Sequence, residues 1–377
     1  MYSLVFLGIL GSLIGSFANV VIHRLPQRRS VAFPASHCPH CHHRLSPLEL
    51  VPVFSWLVLG GRCRSCKKRI SFRYPLIELI MAAGFVLLAL RWPVEQHGPA
   101  LLPLLIIFAM LVIMAAIDID HYILPDSLTL PAIFVGVLGT LLYSSGSGLP
   151  DLLEALTGAV VGAGIVVLIN RVGGLVLRKF HDTKERLWPI GMDQVNLAAL
   201  GGAVGGLLAG IALALFATLL NLLSKKTLRL KEPLIYSLLV PALLLSTTGL
   251  LVKPLTAITG SLGATGAIAI LGAVYWWLRD TLVQGTPHDQ ETDEEPVAMG
   301  FGDVKLAAVL GAILGWEKLL IALFLSFLIG ALGGIISRLM GGSRFVPFGP
   351  YLVFGGLLAL FLGDLFLNWY LGLLGMA

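Results

Sequence analysis

Charge is what this sequence has least of. Only 12% of its 377 residues are Asp, Glu, Lys or Arg, while 57% are hydrophobic. So little charge cannot coat a water-soluble surface, which argues against every soluble enzyme class. Cysteine is nearly absent too, with four in the whole chain, all in one loop, which rules against a disulfide-stapled scaffold. The net charge of +5 comes from basic residues in loops beside apolar runs, where positive charge sets membrane orientation. No nucleic-acid partner is therefore expected. Two further features are missing. Met1 to Ile22 lacks a positive n-region, so no cleavable signal is expected. No glycine loop of the nucleotide-binding type occurs either.

What remains is a series of apolar runs, many about 20 residues long, the length that crosses a bilayer. They predict an all-α polytopic membrane protein, a bundle of roughly 8–12 transmembrane or re-entrant helices with a small cytoplasmic loop domain. Residues 1–22 form the first span. The loop 23–75 carries ten Lys/Arg against one acid, Glu49, which places it in the cytoplasm and the N-terminus outside. Residues 76–143 hold the next spans, 152–252 an extra membrane segment, and 256–377 the C-terminal spans. Gly11 and Gly15 have the spacing of a helix-packing face, although ordinary membrane glycine content accounts for it equally well.

Inside the loop, Cys38-Pro39-His40-Cys41 and Cys63-Arg64-Ser65-Cys66 are separated by 21 residues. Paired Cys-x-x-Cys knuckles of this kind fit a tetrahedral four-cysteine zinc site, which is structural because no coordination position is left open. His37, His40, His42 and His43 crowd the first knuckle, and one of them could replace a cysteine.

Two acidic stretches carry candidate chemistry. One is Asp118-Ile119-Asp120, followed by Leu124-Pro125-Asp126, where an apolar run meets water on the cytoplasmic side. On a helix Asp118 and Asp120 point about 200° apart, so at most one faces a given partner. Asp126 is placed to cap the next helix. The other is Gly300-Phe301-Gly302-Asp303-Val304-Lys305, which sets a carboxylate at the mouth of an apolar helix, where an unpartnered acid is costly. An internal repeat aligns Gly191–Leu200 with Gly300–Val309 at an offset of 109 residues, putting Gln194 at the position of Asp303. Gln cannot ionise, so the first copy reads as chemically inert. Keeping Ser224-Lys225-Lys226 inside requires a short hairpin broken near Gly201-Gly202 or Gly205-Gly206, and the same parity sets Asp118 and Asp303 on one side of the membrane. Two such carboxylates would share a proton, one as base and one as acid. Asp364, in the last span, is expected away from this chemistry, and residues 278–299 form an acidic cytoplasmic loop.

The sequence resembles the bacterial type IV prepilin peptidases, which are also N-methyltransferases. The resemblance covers residues 5–143 and 264–360, and leaves the middle repeat outside it. It rests on Gly11 to Pro26, both cysteine pairs with Gly61-Arg62 before the second, and Ile70 to Leu79. It continues in the Asp118 cluster, in Gly300 to Leu306 and in Pro347-Phe348-Gly349-Pro350. It implies an inner-membrane aspartic endopeptidase that removes the basic leader of prepilins and pseudopilins at the cytoplasmic face. The catalytic acids it implies are Asp118 and Asp303, with Asp120, Gly300, Gly302 and Lys305 in support. It further implies methylation of the new N-terminus with S-adenosylmethionine, whose binding residues the motifs do not mark. The competing reading is an ion-coupled transporter or scaffold with a zinc-ribbon docking loop.

Overall fold

The computed structural model describes residues 2–143, 146–177, 189–227, 232–248, 252–282, 300–340 and 347–373. Regular structure among them is helical, apart from two isolated bridges in the cysteine loop. Eight helices among the described residues are long and apolar enough to cross a membrane, as a multi-pass membrane protein requires. The basic segment from Arg178 to Arg186 and residues 283–299 of the acidic loop lie outside the described residues.

Backbone proximity divides the chain into two units, Met1–Leu152 with Ala322–Ala377, and Leu153–Ile321. In the first, helix α1 (Tyr2–Arg24) lies along α3 (Arg73–Arg91). A Cβ added at Gly11 would sit 2.6 Å from the Met81 carbonyl oxygen, and one at Gly15 would sit 2.7 Å from Glu78 Cα. The Gly-x-x-x-Gly spacing is therefore a packing face, which resolves the alternatives left open by the sequence. We expect Gly15→Val to lower the unfolding free energy in detergent by about 1–3 kcal/mol or more, because backbone cannot move aside as a side chain does.

Between these helices lies the cysteine loop, with the one-turn helix α2 (Phe54–Val58). After α3 comes α4 (Val94–His121), bent at His97, where φ is −129° and ψ 24°, and buried along most of its apolar length. The next helix, α5, spans Asp126–Gly139 and has Pro125 at its N-cap. Asp126 is thus the first helical residue and not the cap that the sequence suggested; Pro125 already supplies the extended φ, ψ that a cap position needs. The last helix of this unit, Gly349–Leu373, packs on α4. On it Asp364 pairs with Arg91 at 3.7 Å, about 22 Å along the axis from Gly349 at 1.5 Å per residue.

The second unit contains α6 (Leu152–Leu177), α7 (Met192–Gly205), α8 (Leu207–Ser224), α9 (Glu232–Ser246), α10 (Pro254–Leu282) and the first half of α11 (Phe301–Leu339); the helix at Gly349 is α12. The break between α7 and α8 falls at Gly206 (φ 81°, ψ −175°), and α11 breaks at Gly315 (φ 71°, ψ 172°). Both glycines hold positive-φ backbone that L side chains adopt only under strain, and they are related by the same 109-residue offset as the repeat. Each break folds the chain back on itself. A Cβ at Gly201 would lie 2.9 Å from Gly210 Cα, and one at Gly162 would lie 2.7 Å from both Ala307 and Leu319. Ala307 and Leu319 would be about 18 Å apart on a straight helix. Packing repeats as well: Gly158 of α6 abuts the Gly311 carbonyl (2.2 Å from an added Cβ), while Gly202 of α7 abuts the Gly260 carbonyl of α10 (2.4 Å). Gly202 and Gly311 again differ by the repeat offset.

Candidate active site

Asp118 lies in the last turn of α4, 6% exposed, and its Oδ2 accepts the Gly349 backbone N–H at 3.0 Å. That N–H opens α12 and has no partner within its own helix, so a carboxylate there satisfies the donor and meets the positive end of the helix dipole. Asp120, two residues on, points elsewhere. It pairs with Arg73, whose Nη2 also donates to the Ala116 carbonyl at 2.9 Å. The divergence expected from helical geometry is thus seen: Asp118 turns inward and Asp120 sits at the exposed rim.

Asp303 occupies the first turn of α11 and is 8% exposed. Its Oδ2 accepts the Gly300 N–H at 3.1 Å, and its own N–H donates to the Gly300 carbonyl at 3.1 Å. Gly302 precedes it in the same turn, and the buried Lys305 stands over the Phe301 ring at 5.3 Å. In the repeat, Gln194 Oε1 accepts the Gly191 N–H at 2.8 Å, the same cap built with an amide, while the Gln194 Nε2 is buried without a hydrogen-bond partner. The scaffold of the cap is therefore kept in both copies and the ionisable group in one.

The cysteine loop is built from two matching knuckles. Cys38 N–H donates to the His43 carbonyl and His42 N–H to the Cys38 carbonyl; Cys63 and Lys67 repeat the pattern with Lys68 and Cys63. His42 (φ 55°) and Lys67 (φ 59°) take the same left-handed position. The four Sγ atoms lie within 4.8 Å of one another, with Cys38–Cys66 at 3.8 Å and Cys41–Cys63 at 3.9 Å. Those separations match the edge of about 3.8 Å of a tetrahedron with zinc–sulfur bonds of about 2.3 Å. Backbone N–H groups of Cys41 and His40 hold the Cys38 thiol down at about 7, and those of Cys66 and Ser65 lower Cys63. Cys66 accepts one N–H, from Lys68, yet burial and the other thiols push it up to about 11. Thiolate is the ligating form, so this donor set suits a dication. The histidines make other contacts: His43 faces Glu49 at 3.5 Å, His40 faces Lys68 at 3.4 Å, and His37 stacks with His42. Cys38, Cys41, Cys63 and Cys66 together can hold one metal ion.

Comparison with known proteins gives the family. The bacterial peptidase A24 N-terminal domain matches residues 9–92, and the type IV leader peptidase model matches twice, over 105–225 and 211–335. The chain belongs to the type IV leader peptidase family. It is 31% identical to a prepilin leader peptidase/N-methyltransferase of Aeromonas hydrophila, covering 98% of this chain and 93% of that protein. A protein of the same description from Aeromonas salmonicida is 30% identical over 98% of this chain and 94% of its own length. A type 4 prepilin-like proteins leader peptide-processing enzyme of Escherichia coli is 39% identical over 52% of this chain and 75% of its own. No solved structure matches the chain. The double match to the leader peptidase model is the family-level counterpart of the internal repeat.

Sequence reasoning missed both the Arg73 partner of Asp120 and the backbone donor to Asp118. Gly349 was part of a quoted motif without a role, and the structure gives it one: a Cβ there would lie 2.6 Å from Asp118 Oδ2. With Asp118 as the expected reacting acid, Gly349→Ala should cut leader cleavage by about 10²-fold, with the protein still in the membrane, because displacing a reacting group by about 1 Å is that costly. Cleavage at the wild-type rate would show that the Asp118–Gly349 contact is dispensable.

Proposed function

We propose that this chain removes the leader peptide of type IV prepilins and pseudopilins at the cytoplasmic membrane face, with Asp118 and Asp303 as its acid pair. The observation that carries the reading is a short inventory. Among the described residues three acids are buried, Glu78, Asp118 and Asp303, and Glu78 is engaged by a backbone N–H of the cysteine loop. The two aspartates each accept a glycine N–H through one oxygen, a hold that orients the carboxylate.

In the reaction, the ionised member of the pair takes a proton from water, which attacks the scissile carbonyl carbon. The protonated member then donates its proton to the leaving amine nitrogen. The two acids exchange protonation states in the cycle, so the apparent pKa values belong to the pair. A prepilin has a basic leader in the cytosol and an apolar helix in the bilayer, which brings its scissile bond to the interface. We further assign to this chain N-methylation of the new terminus with S-adenosylmethionine as methyl donor, and we take zinc as the metal of the four-cysteine site. S-adenosylmethionine supplies an electrophilic methyl group to the amine. Family membership favours this reading over the transporter or scaffold. The test is incubation of the purified protein with a prepilin and S-adenosylmethionine, followed by mass spectrometry of the product. We expect a shortened chain with one added methyl; an intact prepilin would overturn the reading.

A further inference from the structure

Glu78 is the buried acid that the peptidase chemistry does not use. It lies five residues into the apolar helix α3, 8% exposed, where an acid is retained only against a compensating partner. Its partner is remote in sequence: Oε2 accepts the Val53 backbone N–H at 2.7 Å, 25 residues away in the cysteine loop. The Ser16 hydroxyl of α1 also reaches the carboxylate, and Gly15 lets the α1 backbone close on Glu78. Three separate segments therefore meet at this one side chain.

Val53 is an unusual residue to find there. Its φ of 61° and ψ of −53°, with the Phe54 N–H 2.5 Å from the Pro52 carbonyl, make a γ-turn of the rare positive-φ kind. A β-branched residue takes that conformation only when its surroundings over-determine it, and such strain collects at working sites. The Glu78 carboxylate holds the Val53 N–H, and the Leu57 N–H donates to the Val53 carbonyl. The turn in turn starts α2, whose Trp56 indole donates to the Ile70 carbonyl at 3.2 Å and lies against Gly61, next to the second knuckle.

We propose that Glu78 is a positioning residue that seats the metal-binding loop for methyl transfer by holding the strained turn at Val53. The inference rests on assigning methyl transfer to this chain. The Glu78 carboxylate accepts the Val53 N–H from within the helix bundle, and the loop is thereby registered against α1 and α3 while the metal folds it internally. Leader cleavage, assigned to Asp118 and Asp303, does not depend on that registration.

The experiment measures cleavage, N-methylation and metal content of the full-length protein in detergent, for wild type, Glu78→Leu, Glu78→Gln and Glu78→Leu with Val53→Gly. Glu78→Leu loses methylation about tenfold or more, with cleavage and metal content near wild type. Glu78→Gln keeps most methylation, since its Oε1 still accepts the N–H. Val53→Gly restores most of what Glu78→Leu lost, because glycine takes positive φ without strain; a role for Glu78 in mere burial or charge would give no such rescue. Wild-type methylation in Glu78→Leu, a parallel loss of cleavage, or failure of the Val53→Gly rescue would each overturn the proposal. A wild-type protein that cleaves but never methylates would instead overturn the assignment of methyl transfer on which it rests.

Discussion

Asp303→Asn reduces leader cleavage by about 10²–10⁴-fold or more, the range that a positioned acid or base contributes to a rate. The substitution keeps the local structure, because the Asn Oδ1 still accepts the Gly300 N–H that Asp303 Oδ2 accepts at 3.1 Å. What it removes is the exchangeable proton. Asp118→Asn has the same effect for the same reason at Gly349. The repeat supplies an internal control. Gln194 caps Gly191 at 2.8 Å in the geometry of Asp303, and it is an amide. Gln194→Leu therefore removes a cap from a buried helix end and lowers stability by about 0.5–2 kcal/mol, while the rate per folded molecule stays near wild type. Cleavage rates normalised to folded protein separate the two outcomes. A Gln194→Leu protein as inactive as Asp303→Asn would mean that the first copy is not inert.

With zinc held by the four cysteines as proposed, its removal should unfold the cysteine loop. Within residues 25–72, Cys38 and Cys63 are the buried hydrophobic side chains, at 7% and 3% exposure, so the ligands themselves are the loop's core. Apparent zinc-binding energies in small four-ligand modules run to about 10–16 kcal/mol, and that binding energy is folding energy. Against it stand the loop's own hydrogen bonds, each worth about 1 kcal/mol net and offset by the chain entropy of ordering the residues that make them. A strong chelator, or Cys38→Ser with Cys63→Ser, should make the loop the first site of proteolytic nicking, and bound zinc should fall to zero. Methylation should be lost with the loop while cleavage persists. A loop that stays protected from protease after its metal is gone would show that α1 and α3 fold it unaided.

Much of this was readable from residue order alone. The span of each long helix follows from apolar runs bounded by glycine, proline and charge, and keeping Ser224 to Lys226 inside called for a break near Gly201-Gly202 or Gly205-Gly206, of which the structure takes the second, at Gly206. The two knuckles were legible because metal ligation imposes its own spacing. The split between Asp118 and Asp120 followed from the helical period. The relations that escaped were those between residues far apart in sequence. Nothing local marks Gly349 as the donor to Asp118, 231 residues earlier. Glu78 stood in a recognisable motif, but its hold on Val53 depends on how the loop returns to α3. Arg73 joins Asp120 across 47 residues. The Asp126 cap was misjudged because Pro125 offers the extended backbone that the cap position uses, one residue earlier.

The central claim is that Asp118 and Asp303 act as one unit, and a double-mutant comparison tests it most directly. Single-turnover cleavage of a prepilin is measured for wild type, Asp118→Asn, Asp303→Asn and the double variant. Residues that act together in one proton-transfer step are grossly non-additive. The prediction is that each single variant falls to the residual rate and the double variant falls no further. Multiplicative losses, or a single variant that cleaves near the wild-type rate, would contradict the pair.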